Sequence, residues 1–256
     1  MTIDKTAKID SSVEIAENVT IGPYAIIHPG VKIGRGCKVA AHAIIYPDTT
    51  LGENNTIHSF ACIGSDPQVG HKKSKTFGGL EVGEGNVFHE FVTISRGCKG
   101  GKTHIGNHNL FQAYAHVGHD CHIKNHTIMV SYSGLAGHVK VEDYAITGGF
   151  TSVHQFCKVG ESSMTAHGAI ITNDVMPYII IANNPPTPYG LNSVGLRRRG
   201  FPEEVRSNLK KAYKVIFRQK LPTAEAVQSL KGLAKNCPKV THMIEFMQES
   251  QRGITR

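Results

Sequence analysis

Residues 19–39 read VTIGPYAIIHPGVKIGRGCKV, and this stretch decides the fold. Ile21, Ile27, Ile33 and Val39 stand six apart. Neither the 3.6-residue period of a helix nor the two-residue period of a strand produces a strict six. Outward from here the spacing continues through Ile9 and Ile15 on one side and Ile45, Leu51, Ile57 and Ile63 on the other. The position two residues earlier is usually small or β-branched, as at Val13, Val19, Ala25, Val31, Cys37 and Ala43. Such self-similarity marks a repeat architecture. Each hexad reads as one short strand and a corner, and three hexads close a triangular turn of about 18 residues. Stacked turns form parallel sheets with strands about 4.8 Å apart. Glycine after the aliphatic residue (Gly22, Gly34, Gly52, Gly83, Gly106, Gly160) is expected to supply corner conformations that other residues resist. The pattern predicts an all-β solenoid, a parallel β-helix, and leaves its hand open.

The repeat breaks twice. Residues 65–80, SDPQVGHKKSKTFGGL, are polar and off register and read as a long loop. The register resumes at Val82, Phe88 and Ile94, breaks again over residues 95–104, then runs from Ile105 to Ile171 with only Thr147 and Thr165 interrupting. From about Gly200 the pattern turns helical. Pro202 suits a first helical position, and Val205, Leu209, Ala212 and Ile216 share one face. Thr223 is expected to cap a second helix and Pro238 to start a third, with Met243, Ile244 and Met247 inward. The expected organisation is a β-solenoid over residues 1–191 and a small α-helical domain over 192–256.

Composition narrows the function. No apolar run approaches 20 residues and residues 1–8 lack a signal-peptide pattern, so a cytoplasmic chain without stable membrane insertion is expected. The six cysteines form no CxxC and read as buried, reduced thiols. The net charge of +8 is concentrated in residues 192–256, with 14 Lys+Arg against five Glu. A solvated helical surface or an anionic partner explains it. Nucleic acid is disfavoured by the scarcity of interleaved aromatics and the lack of a binding motif.

An 18-residue turn also works as a ruler. It sets Gly137 on His119 and His138 on Asp120, and two turns set His154 and Gln155 in the columns of Gly118 and His119. His116 adjoins them on its own turn. Histidines converging beside a carboxylate make a general acid–base candidate. Most other histidines, such as His28, His42, His58, His89 and His126, read as polar corner residues. A zinc site, as in a hydratase of the gamma-carbonic-anhydrase type, is the rival. No two histidines have the His-x4-His spacing of that family, and His116, His119, Cys121 and His122 alternate along one extended segment. No metal and no cofactor is expected.

The segments AHVGHDC (115–121), LAGHV (135–139), VHQFC (153–157), TPYGLN (187–192) and GLRRRGF (195–201) together resemble the UDP-N-acetylglucosamine acyltransferases that begin lipid A biosynthesis. The resemblance covers nearly the whole chain. It implies a left-handed β-helix, a homotrimer with sites between subunits, and transfer of an (R)-3-hydroxyacyl chain from acyl carrier protein to the 3-position of a UDP-sugar. It implies His119 as general base, Asp120 as its orienting partner and the Gly137 N–H as oxyanion donor. It further implies substrate-binding roles for His116, His138, His154, Gln155, Gln68, Asn192, Arg198 and Arg199, and for Lys72 or Lys73. The basic tail then suits an acidic carrier protein. His167 stands where members often carry glycine in an acyl-measuring groove that includes Met164, so a shorter acyl chain is expected. The loop departs from the family's usual PQDL, and Val194 replaces a glutamate that some members carry. A UDP-3-amino-sugar acceptor, giving an amide, stays open as an alternative, as does a catalytically inert trimeric scaffold.

Overall fold

The computed structural model describes residues 1–69 and 77–256. Short parallel strands stack into three flat faces. Among the described residues the faces hold eleven, nine and eight strands. One coil runs from the first face (Thr20–Ile21) to the second (Ile26–Ile27) and the third (Lys32–Ile33) before returning to the first at Lys38–Val39. Regular coils pair residues 18 apart, as Asn107 with Asn125. Across the two insertions the separation lengthens to 31 and then 23 residues, as Asn55 to Asn86 and Asn86 to Asn109. The register nevertheless holds: Cys62 pairs with Thr93, Thr93 with His116, His116 with Gly134, and Gly134 with Ser152. Pairing continues across both insertions, with one irregularity between Ile63 and Ser65 where the first insertion leaves the stack.

The six-spaced aliphatics fill the interior. Ile21 to Ile63, Ile105, Val117, Leu135 and Ile171 are buried, whereas Ile9 and Ile15 at the open end are partly covered. Phe88 and Phe111 stack inside at 4.9 Å. Thr147 and Thr165 stay inside too and bond to other buried hydroxyls. Thr147 Oγ1 donates to Ser133 Oγ (3.3 Å), and Thr165 Oγ1 pairs with Thr151 Oγ1 at 3.0 Å. A buried hydroxyl with a partner avoids most of the desolvation penalty.

The corner glycines act differently from the sequence expectation. The left-handed backbone falls three residues after the aliphatic position, and mostly on residues with side chains: Tyr24, His42, Phe60, Tyr114, Asp120, Tyr132, His138 and Phe156 all have φ between 56° and 66°. Gly22 and Gly34 are not among the positive-φ residues. They are needed for close approach, since a Cβ on Gly34 would sit 2.4 Å from the Gly52 carbonyl oxygen. The left-handed conformation is unfavourable for an L-residue by roughly 1–2 kcal/mol. Stacking between successive corners offsets it. Tyr24, His42, Phe60, Phe91, Tyr114, Tyr132 and Phe150 form one continuous ladder along the edge between first and second faces, with ring centroids 4.7–5.2 Å apart.

A hairpin of Ile179–Ala182 and Thr187–Leu191 closes the upper end, pairing with Met164–Thr165. Four helices follow: α1 (Ser193–Arg198), α2 (Glu203–Arg218), α3 (Thr223–Ala234) and α4 (Pro238–Gln248). The short α1 is not expected from the sequence, because six residues carry too little periodicity. Pro202 and Pro222 stand at the caps, so the helices begin one residue after Pro202 and at Thr223 itself, while Pro238 opens α4 as expected. Leu209, Ala212, Ile216, Met243, Ile244 and Met247 are buried and Val205 is partly so. Helix α4 is tied to the solenoid by polar contacts. His242 lies 3.1 Å from Glu142 and 2.8 Å from the Tyr178 hydroxyl, and Lys239 lies 2.7 Å from Glu161. No helix is long and apolar enough to cross a membrane among the described residues.

Candidate active site

The edge between the second and third faces carries the chemistry. Coil by coil it presents Gly118-His119-Asp120, Ala136-Gly137-His138 and His154-Gln155-Phe156. His119 Nδ1 lies 2.7 Å from Asp120 Oδ2, which leaves Nε2 free to exchange a proton. The Asp120 carboxylate also accepts the Cys98 N–H, at 3.2 Å to each oxygen, and the Asp120 N–H donates to Thr103 Oγ1 at 2.9 Å. Both side chains of the pair are largely covered, 18% exposed for His119 and 11% for Asp120. The coil above explains Gly137: a Cβ there would stand 2.7 Å from His119 Nε2 and Cε1. Among the described residues no backbone carbonyl accepts the Gly137 N–H. The glycine therefore lets the imidazole come close to the neighbouring backbone, beside a donor that no backbone carbonyl uses.

His138 meets His119 edge to face at 5.1 Å, with Nε2 3.8 Å from Asp120 Oδ2, and stacks on Phe156 at 4.7 Å. His116, on the second face, has its Nδ1 2.7 Å from Thr93 Oγ1. Burial holds the His116 imidazole below its usual pKa and favours the neutral ring. A cavity of about 490 Å³ brings His116, His119, Gly137, Gln155 and Gln68 together, with Val69, Ser95, Gly134 and Ser152 also in its wall. Its floor is the column His116–Gly134–Ser152, and a Cβ on Gly134 would meet no atom within 4 Å.

The remaining sequence candidates lie elsewhere in one chain. His154 is exposed, its Nδ1 3.1 Å from the Gln155 carbonyl, and is not in that wall. Asn192 is buried, and its side chain is already occupied. Its Oδ1 accepts the Gly195 N–H (3.1 Å), capping α1, and its Nδ2 donates to the Ser162 carbonyl (2.9 Å). Arg199 turns inward, its guanidinium 5.6 Å from the Tyr144 ring centroid, and burial lowers its pKa. Arg198 is exposed. Met164 lies on the first face, and His167 tops the aromatic ladder, 5.2 Å from Phe150. Lys72 and Lys73 fall outside the described residues.

Sequence reasoning missed Thr93, Ser95, Cys98, Thr103, Gly134 and Ser152. The ruler finds the last two, since both lie whole turns above His116. It also reaches Thr103, one regular turn below Cys121, but fails for Thr93, Ser95 and Cys98 because an insertion separates them from the site. All six cysteines are free, and two are half-buried rather than core thiols, Cys62 and, beside Asp120, Cys98. The Cys98 sulfur, His119 and Asp120 have ligand atoms within 4.8 Å of one another, and His58, His89 and Glu90 form a similar group. The Asp120 oxygens are already engaged by an imidazole and an N–H, so a hydrogen-bonded dyad accounts for the first group. The His116, His119, Cys121 and His122 cluster does not converge. Cys121 points into the core, where burial pushes its thiol up to about 12, and His122 is on the third face.

Residues 12–46 and 30–65 match the profile of the bacterial transferase hexapeptide (six repeats), and residues 174–255 match that of UDP-N-acetylglucosamine O-acyltransferase, domain 2. The chain is 41% identical to the acyl-[acyl-carrier-protein]–UDP-N-acetylglucosamine O-acyltransferase of Thiobacillus denitrificans, covering 100% of this chain and 99% of that protein. It is 43% identical to the protein of the same name from Alkalilimnicola ehrlichii, covering 99% of each. The solved structure of the Moraxella catarrhalis UDP-N-acetylglucosamine O-acyltransferase superimposes with a TM-score of 0.96 at 36% identity, over 100% of both chains. The Acinetobacter baumannii structure gives 0.97 at 36%, again over 100% of both. The fold is thus the left-handed parallel β-helix of hexapeptide repeats with a C-terminal helical segment. Full-length identity above 40% and full-length superposition say together that this chain belongs to the UDP-N-acetylglucosamine O-acyltransferase family.

Proposed function

We propose that the protein transfers an (R)-3-hydroxyacyl chain from acyl carrier protein to the 3-hydroxyl of UDP-N-acetylglucosamine, the first step of lipid A biosynthesis. The observation that carries the mechanism is the His119–Asp120 pair lying over Gly137. Asp120 fixes the tautomer with the proton on Nδ1. Nε2 then takes the proton of the acceptor hydroxyl as its oxygen attacks the thioester carbonyl. The Gly137 N–H faces the oxyanion of the tetrahedral intermediate. Collapse expels the carrier's thiolate, which recovers the proton from His119. General-base assistance contributes typically about 10²–10⁴-fold, and one oxyanion donor about 10²–10³-fold. An oxygen acceptor is favoured over an amine by the names of the relatives.

His116, Gln155 and Gln68 hold the acceptor in the cavity, His138 meets it from the adjoining cavity beside Asp120, and Arg198 takes the nucleotide phosphates through its forked donors. Asn192 contributes by capping the helix that presents Arg198. Met164 and His167 limit the acyl chain, and the basic C-terminal helices face the acidic carrier protein.

Arg198, Met164 and His167 do not line the His119 cavity of their own chain. A neighbour that sets its first face against this chain's second face would supply them. That packing turns the edge between the two faces, with its half-exposed aromatic ladder, toward a common axis. We therefore infer a homotrimer with three shared sites. Acyl carrier protein loaded with several chain lengths, offered to UDP-N-acetylglucosamine and to its 3-amino analogue, tests the reaction. Mixed trimers test the sharing: His119→Ala and Arg198→Ala chains, each inactive alone, regain turnover when co-assembled. Absence of recovery in a verified mixed trimer means each site is built by one chain.

A further inference from the structure

The longer insertion leaves the stack at Ser65, carries Gln68 and Val69 into the cavity wall, and returns at Phe77. One side chain meets both of its stems. Arg96 is only 10% exposed. Its Nε and Nη2 both donate to Asp66 Oδ1, at 3.0 and 2.8 Å, on the outgoing stem. Its guanidinium carbon stands 4.6 Å from the Phe77 ring centroid on the returning stem. Its third arm, Nη1, donates to Asp48 Oδ2 at 2.9 Å, two coils below Arg96. The backbone around it completes the junction. The Arg96 N–H donates to the Ser65 carbonyl, Gly78 N–H to the Gly97 carbonyl, and Gly97 N–H to the Gly79 carbonyl, all at 2.9–3.0 Å.

The same tripeptide touches the catalytic pair. Two residues after Arg96, the Cys98 N–H donates to both oxygens of Asp120. The short segment 96–98 thus ties both ends of the longer insertion to the carboxylate that orients His119. Surface ion pairs are usually worth little. This guanidinium is nine-tenths covered, uses its planar fork and stacks on an aromatic face, which are the conditions under which arginine is specific and lysine is no substitute.

We propose that Arg96 is a positioning residue for acyl transfer, setting where Gln68 and Val69 hold the substrate relative to His119. The inference rests on the acyltransferase reading, and it touches no reacting atom. Arg96→Met and, from the other side of the pair, Asp66→Ala should each raise the KM for UDP-N-acetylglucosamine about tenfold or more. The kcat should stay within about threefold and the pH–rate profile should not move. Arg96→Lys, which keeps the charge without the fork, should recover less than half of the loss. The double variant should be no worse than Arg96→Met alone, since that substitution already removes the Asp66 contact.

Amide hydrogen exchange gives a readout independent of turnover. In Arg96→Met the Gly78, Gly97 and Cys98 amides should exchange faster, while Leu135 and Val153 keep their native rates. Arg96→Lys guards against a variant that fails to fold. An unchanged KM in folded Arg96→Met and Asp66→Ala proteins overturns the proposal, as does additive loss in the double variant. A native enzyme that turns over none of the donors instead defeats the acyltransferase reading, and the exchange rates still decide the clamp. Acceleration confined to the Arg96 junction supports it, and uniform or absent acceleration overturns it.

Discussion

Two stretches of the solenoid, the coils below Ile63 and those above Ile105, share one geometry and differ in what stands on one edge. Below, the edge between second and third faces reads His28-Pro29-Gly30 and Tyr46-Pro47-Asp48. Above, it reads Gly118-His119-Asp120, Ala136-Gly137-His138 and His154-Gln155-Phe156. The backbone at Asp48 and at Asp120 is the same, with φ of 57° at both. Asp48 spends its carboxylate on Arg96, while Asp120 spends its own on an imidazole. Architecture is therefore repeated along the whole stack and chemistry is not. The site arises where a free ring, a bare glycine in the next coil and the stems of two insertions meet.

Substitutions can break this contrast. The largest expected effect is on turnover in His119→Ala, a loss of about 10²–10⁴-fold with unchanged circular dichroism and oligomeric size. Turnover within tenfold of native would remove the base from the mechanism. Next comes a pair that asks one question of both regions. Gly137→Ala places a methyl against a side-chain ring, so the ring moves: turnover should fall about 100-fold, within the range for lost oxyanion or base geometry, while the melting temperature barely changes. Gly34→Ala places the same methyl 2.4 Å from backbone. It should lose roughly 1–3 kcal/mol of stability, read as a lower melting temperature, and leave kcat intact. If both act on stability alone, the upper coils are not specialised.

Smaller effects follow. His167→Gly should leave stability untouched and shift preference toward longer 3-hydroxyacyl donors, measured as relative kcat/KM across chain lengths. Equal preference before and after removes His167 from the chain-length limit. The smallest is a slope. His116 is held neutral by burial, so its folded pKa lies below its unfolded value of 6.5. Between those values the unfolded chain binds more protons, and stability rises with pH. The contribution is full above the unfolded pKa and is lost as pH falls through the folded one. Melting temperature plotted from pH 7.5 down to about 5 should fall less steeply in His116→Gln, and an identical slope would contradict it. His122 is lowered in the same direction, also chiefly by burial, and keeps its share in that variant.

Much of this was legible in the chain. Residues six apart fix the stacked turn, and that turn alone places Gly137 on His119. The glycine reading went wrong for a physical reason: periodicity marks where glycine occurs, but not whether it is needed for φ or for space. Gly34 is there for space. Arg96, Cys98 and Thr93 were hidden because their contacts cross an insertion, and no fixed spacing survives that. Asn192 and Arg199 carry motif identity without orientation; in the fold one is a cap and the other lies over the Tyr144 ring.

The pairing of Cys62 with Thr93 has one more consequence, for descent. The chain between residues paired in successive coils can lengthen from 18 to 31 residues while the strands on either side keep their partners. Lengthening by less than a factor of two adds under about 0.6 kcal/mol of closure entropy. Insertion at a corner is thus nearly neutral for folding, while each insertion reaches out at a place already lined by stacked side chains. Lineages built on this stack can try new loops one corner at a time, and retain those that grip a molecule, without the inherited coils having to change in step.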